Sequence, residues 1–167
     1  MKKTIFSLIA LVLLFCAAGA VEASDSFPAF TSRNIEGGEI TSGIFADKKL
    51  TMINFWGTYC PPCIAEMPDL GKLGRSMPEG TQLAGIVIDA TDPKTLDLAR
   101  KILEKSDADF LQILPVMKMN PYFETLVGVP TTIFVDSEGK VVGEPLIGAR
   151  SEAEYRKEID KALKLLP

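Results

Sequence analysis

The chain contains no histidine. It therefore lacks the side chain that most often acts as a general base near neutral pH and most often ligates zinc or copper. Cysteine is almost as scarce, with Cys16, Cys60 and Cys63 the only three. Without histidine these are too few for a four-ligand zinc site or a Cys/His copper site, so the sequence argues against a metal-binding module. Basic runs are missing as well. Aromatic residues make up 8% of the chain and the formal net charge is −4, which argues against nucleic acid or anionic lipid as a partner.

What is present begins with a targeting pattern. Lys2 and Lys3 precede an apolar run from Ile5 to Val21, with small-residue sites at Ala18-Gly19-Ala20 and Val21-Glu22-Ala23. This reads as a secretory signal peptide over residues 1–23, and it predicts a periplasmic or other extracytoplasmic protein with one domain over 24–167. At roughly 17 residues the run meets the short limit for a membrane span, so a retained anchor is the alternative to cleavage. Cys16 follows Phe15 where lipid attachment calls for a small residue, which argues against a lipoprotein. Cleavage after Ala20 removes two of the 18 Lys+Arg against 22 Asp+Glu and moves the net charge to −6. The mature chain then holds only Cys60 and Cys63, too close together to staple distant parts of a fold. An exported chain with a single Cys60-Pro61-Pro62-Cys63 motif points to a redox-active disulfide that works without another cofactor.

Pattern and punctuation predict an α/β order. The turn-rich stretch Arg33-Asn34-Ile35-Glu36-Gly37-Gly38-Glu39-Ile40 reads as a hairpin capping the core. Leu50 to Phe55 reads as a short apolar strand, and Pro61 suits the first turn of the helix after it. Leu83 to Ile88 is a second buried strand, and Asp92-Pro93 opens a helix with Leu96, Ala99 and Leu103 on one face. Strand, helix, strand, helix implies a parallel pair. Phe110 to Val116 supplies another strand, Tyr122 to Leu126 a short helix, and Thr131 to Val135 a further strand. Ser137-Glu138-Gly139-Lys140 turns the chain into Val141 and Val142 as an antiparallel hairpin. Ser151 and Glu154 have capping-box spacing ahead of a last helix carrying Tyr155, Ile159, Ala162, Leu163 and Leu166.

The cysteines thus straddle a strand-to-helix turn. Unpaired N–H groups and the positive dipole end of the helix favour thiolate at Cys60, which makes it the exposed nucleophile. Cys63, inside the first turn, is placed to resolve a mixed disulfide between Cys60 and a partner. Pro61 and Pro62 donate no N–H to the Cys60 sulfur, and no Lys, Arg or His adjoins it in the motif. Stabilisation of the thiolate is therefore moderate, as in reducing exchangers rather than strongly oxidising ones.

Trp56 ahead of the motif, Pro68 five residues past Cys63, and Gly128-Val129-Pro130-Thr131 together resemble the thioredoxin superfamily. The export signal, the hairpin, the extra strand and helix between Asp89 and Val127, and Glu66-Met67-Pro68 resemble its TlpA/ResA group. The resemblance implies a thioredoxin-like fold, a central mixed sheet flanked by helices with an N-terminal hairpin and an inserted strand-helix unit. It implies a protein-disulfide oxidoreductase. Where thioredoxin has an acidic residue six positions before its first cysteine, Asn54 stands here. The resemblance implies that Glu66, at i+3 from Cys63, lies beneath the disulfide with a raised pKa and accepts the Cys63 proton. It also implies a cis Pro130 packed on the cysteines, Val129 and Thr131 meeting an extended substrate segment by strand addition, and Trp56 and Tyr59 as an apolar docking rim.

The partners implied are protein disulfide substrates and a membrane thiol-disulfide transporter as electron donor, with apocytochrome c maturation as a candidate pathway. A thiol peroxidase of the same broad fold places Thr three residues before its cysteine behind a proline. Thr58 lies two before Cys60 with no proline ahead of it. A disulfide oxidant or isomerase is the other rival, separated from a reductase by its potential.

Overall fold

The computed structural model describes residues 25–167. The predicted signal peptide, Cys16 and Ser24 lie outside the described residues. Among the described residues no helix is long and apolar enough to cross a membrane.

Two antiparallel strands, β1 (Thr31–Arg33) and β2 (Glu39–Thr41), form the expected hairpin, with Thr31 opposite Thr41. A five-stranded sheet follows, built from β3 (Leu50–Trp56), β4 (Thr81–Val87), β5 (Leu111–Ile113), β6 (Thr131–Val135) and β7 (Leu146–Ile147) in the order β5-β4-β3-β6-β7. β3, β4 and β5 run parallel, and β6 is antiparallel to β3. The helices are α1 (Pro61–Gly74), α2 (Pro93–Lys105), α3 (Asn120–Phe123) and α4 (Glu152–Leu165). This is the thioredoxin-like arrangement that the resemblance implies, with α2, β5 and α3 filling the stretch between Asp89 and Val127.

Alternation along β3 divides the core. Leu50, Met52 and Trp56 share one cluster with buried residues of α1, α2 and α4, while Ile53 and Phe55 belong to a second. That second face is closed by aromatic rings. Phe27, Phe30, Phe45, Phe55, Tyr122 and Phe123 meet with centroids 5.0–6.4 Å apart, mostly edge to face, and burial of each such side chain contributes about 1.5–3 kcal/mol. The hairpin does cap the core at one sheet edge. Ile35 N–H donates to Gln112 O, Leu114 N–H donates to Arg33 O, and Asn34 bridges Ile113.

Three elements differ from their sequence reading. β5 stops at Ile113, short of the expected Val116, because Leu114 turns its N–H to the hairpin and Pro115 has none to give. α3 begins at Asn120 and ends at Phe123, before the expected Leu126, since Pro121 sets its first turn. Val141 and Val142 return antiparallel to β6 as expected, but the hairpin is reduced to the Val135–Val141 bridge, with Val142 N–H donating to Phe134 O and Asp136 N–H to Lys140 O, and forms no strand of its own. Gly143 at φ 73° then turns the chain, and β6 takes β7 as its ordered partner, with Thr131 opposite Ile147.

The helix that carries the cysteines sits very close to its neighbour. A Cβ at Gly71 of α1 would collide with the Asp107 carbonyl and lie 2.9 Å from Ala108 Cα, both backbone atoms of the loop after α2. We expect Gly71→Ala to lower stability by about 1–3 kcal/mol, because backbone cannot step aside. Urea unfolding of the two proteins checks this, and equal midpoints would show that the loop yields.

Candidate active site

The sheet register assembles the site. Parallel pairing brings the C-terminal ends of β3 and β4 together, and Phe55 opposite Thr131 places the start of β6 beside the end of β3. The Val129-Pro130 peptide, which is cis as expected, thereby arrives at the cysteine turn. Cys60 and Cys63 are joined by a disulfide. Cys60 is the N-cap of α1, and its sulfur accepts the Cys63 N–H at 3.3 Å. Pro61 and Pro62, exposed at the first turn, add no donor. The Val129 carbonyl oxygen stands 3.5 Å from Cys60 Sγ.

Both cysteines are buried, Cys60 at 5% exposure and Cys63 at 0%. Cys60 is the more accessible, but less open than its place in the turn suggests, with the Val129 carbonyl standing against its sulfur. Two other expectations are corrected. Trp56 is fully buried at 0% exposure and its Nε1–H donates to Gln112 Oε1 at 3.0 Å, so it is part of the core and cannot form a docking rim. Thr131 is also buried. Its hydroxyl donates to Gly128 O at 2.6 Å and it pairs with β3 on one side and β7 on the other, which leaves nothing for a substrate segment. Tyr59 remains as the exposed aromatic, at 65%, with Val127 and Ile147 also exposed.

Glu66 is buried on α1 at 3% exposure. Its carboxylate is held by three donors from two other parts of the chain. Asn54 Nδ2 donates to Oε1 at 3.0 Å, while Tyr155 OH and Arg150 N–H donate to Oε2 at 2.9 and 3.0 Å. Burial raises the Glu66 pKa above its ordinary 4.5, outweighing the opposing pull of these bonds and of the Arg150 charge. Burial and the nearby Glu66 charge likewise push the Tyr155 hydroxyl far above its usual range, so it stays a donor. Asn54 belongs to a polar row that crosses the sheet. It pairs with Thr132 on one side and Gly85 on the other, and Gly85 pairs with Gln112. Asn54 Nδ2 also donates to Thr132 Oγ1 at 3.1 Å. The Gln112 amide lies over Gly85, occupying the space a Cβ would fill, and from there it reaches Trp56.

Sequence reasoning missed Tyr155 as anything but a core residue, and missed the Arg150 N–H, Gln112 and Asp89 altogether. The Asp89 carboxylate accepts Thr58 N–H and Thr58 OH just ahead of the cysteines. A signal did exist for the first group, since Asn54 interrupts the apolar face of β3 and a buried amide needs partners. Among the described residues no group of three His, Cys, Asp or Glu side chains is placed to hold a metal ion.

The Redoxin family model matches residues 22–163. The thiol-disulfide oxidoreductase ResA of Bacillus thuringiensis is 30% identical over 160 residues, spanning 86% of this chain and 89% of the relative. ResA of Halalkalibacterium halodurans is 26% identical over 136 residues, 77% of this chain and 70% of the relative. Among solved structures, a thiol:disulfide interchange protein of the thioredoxin family from Chlorobium tepidum superposes with a TM-score of 0.69 at 22% identity, covering 83% of this chain and 95% of that one. That last likeness is one of fold.

The raised Glu66 pKa has a consequence for stability. Because the folded value exceeds the unfolded one, the native state takes up the proton first as pH falls. The contribution is fully present below about pH 4.5 and is lost as pH rises through the raised value. Urea unfolding of wild type and Glu66→Gln between about pH 5 and 8 should show the difference moving in favour of Gln as pH rises. A difference that does not change with pH would contradict this.

Proposed function

The chain belongs to the Redoxin family as a ResA-like protein-disulfide oxidoreductase, and from that premise we propose that it reduces disulfides in other exported proteins. The reduced Cys60 attacks one sulfur of a substrate disulfide, forming a mixed disulfide and releasing the first substrate thiolate. Cys63 passes its proton to Glu66 and attacks Cys60 Sγ. The substrate leaves with its second thiol, and the Cys60–Cys63 disulfide closes with two electrons transferred.

The observation that carries this reading is the setting of the Cys60 sulfur. It caps α1 and accepts a single N–H, from Cys63, because the two intervening prolines, Pro61 and Pro62, have none to give. Thiolate stabilisation is then moderate, and a dithiol that gains little from ionising gives up its electrons readily. A buried carboxyl of raised pKa on the same helix supports the proton-acceptor role of Glu66. Val129 supports protein substrates. Neither its N–H nor its C=O bonds to other backbone among the described residues, beside a sulfur 3.5 Å away. An extended segment adds to Val129 there, with Tyr59, Val127 and Ile147 as the exposed apolar surroundings. The N-terminal signal pattern supports work outside the cytoplasm, with a membrane thiol-disulfide transporter restoring the dithiol and cytochrome c maturation as a client pathway.

Equilibration with glutathione or dithiothreitol gives the potential. A value near or below about −230 mV is expected of a reductant, whereas one near −120 mV would make the protein an oxidant. Cys63→Ser should accumulate mixed disulfides through Cys60, and Cys60→Ser should accumulate none. Trapping by both variants alike would overturn the assignment of roles.

A further inference from the structure

Asp89 stands two residues beyond the end of β4, where the parallel strands open onto the site. Its carboxylate accepts the Thr58 N–H at 3.0 and 3.2 Å and the Thr58 hydroxyl at 2.6 Å. Thr58 is the second residue of a tight turn closed by Cys60 N–H donating to Gly57 O at 3.1 Å. The same turn shows Tyr59 to solvent with its ring against Gly57, where a Cβ would lie 2.6 Å from Tyr59 Cε1. Fixing Thr58 therefore fixes where Tyr59 and Cys60 fall. The clamp could be made by a neutral acceptor, yet here it is an acid. Among the described residues no Lys or Arg forms an ion pair with it. Asp89 is half-buried and Thr58 is buried, so water screens its charge incompletely.

We propose that Asp89 is a positioning residue that acts on Cys60 by two routes: it holds the turn through Thr58, and its charge disfavours the Cys60 thiolate. A like charge close to an ionising group favours the neutral form. Here it opposes the α1 N-terminus, which favours the anion. Destabilising the thiolate destabilises the reduced state, so the pair is biased toward the disulfide and the reduced protein donates electrons more readily. The proposal rests on Cys60 being the nucleophile and adds the group that sets its reactivity.

The test is the rate of iodoacetamide alkylation of the reduced protein from about pH 5 to 9, with the labelled cysteine identified by mass spectrometry. Asp89→Asn keeps the size and an acceptor for Thr58 N–H but removes the charge. Asp89→Ser is a second uncharged variant with an acceptor, in case the first does not fold. Either should alkylate Cys60 at least about threefold faster than wild type at pH 6, since the thiolate fraction there follows the acidity of the thiol directly. Thr58→Val removes one hydrogen bond and leaves the charge, and should show no acceleration. Wild-type label on Cys60 with an unchanged profile in the uncharged variants overturns this proposal alone, as does equal acceleration by Thr58→Val. Wild-type label arriving first on Cys63 overturns the nucleophile assignment and this proposal with it.

Discussion

A single buried carboxyl group joins the parts of this molecule that must stay in register. Glu66 projects from α1 into the helix-covered face of the sheet and is met there by Asn54 of β3, by the hydroxyl of Tyr155 in α4, and by the backbone N–H of Arg150 just before α4. If the carboxyl were withdrawn, the Arg150 N–H would be left without a partner, at a cost of about 1–3 kcal/mol, while Asn54 and Tyr155 would keep only Thr132. The cysteine-bearing helix is therefore fastened to the central strand and to the C-terminal helix through one side chain.

Two acids near the cysteine turn lie at different depths, in different surroundings. Glu66 lies in the core, where loss of water disfavours its charge. Asp89 lies at the mouth, half-exposed and hydrogen-bonded to the turn that presents Cys60. The chain has no histidine, and the two carboxyls differ in their surroundings, one desolvated in the core and the other hydrogen-bonded at the half-exposed turn. At the buried β3 position the chain carries an amide, Asn54, which donates to the carboxyl on α1.

Most of the fold was legible in the sequence because it depends on local pattern. β3, α1, β4, α2, β6 and α4 all stand within two residues of where periodicity, Pro61, Asp92-Pro93 and the Ser151–Glu154 box place them. The misplaced pieces are short and depend on tertiary pairing. β7 has two residues and no period to read, and β5 ends early because the hairpin claims the Leu114 N–H. The site was legible where a motif marks it, at Cys60, Cys63, Glu66 and Val129-Pro130. It was not legible where residues far apart in sequence meet, as Gln112 meets Trp56 and Asp89 meets Thr58. Trp56 was misread for that reason. An aromatic beside a reactive thiol suits a docking surface, but a partner on β5, invisible in the linear chain, draws its indole inward.

The edges of the sheet bear on how this protein keeps company with other chains. One edge strand, β7, is only two residues long, with Pro145 before it and Gly148 at φ 87° after it. The opposite edge, β5, is three residues long and its exposed side is taken up by the hairpin, through Asn34 against Ile113, Ile35 N–H to Gln112 O and Leu114 N–H to Arg33 O. Neither margin offers a run of free backbone on which a foreign strand could zip up. Along its two edge strands the sheet therefore gives another chain no template to extend, so a partner segment has the cysteine turn and not a sheet margin to pair with.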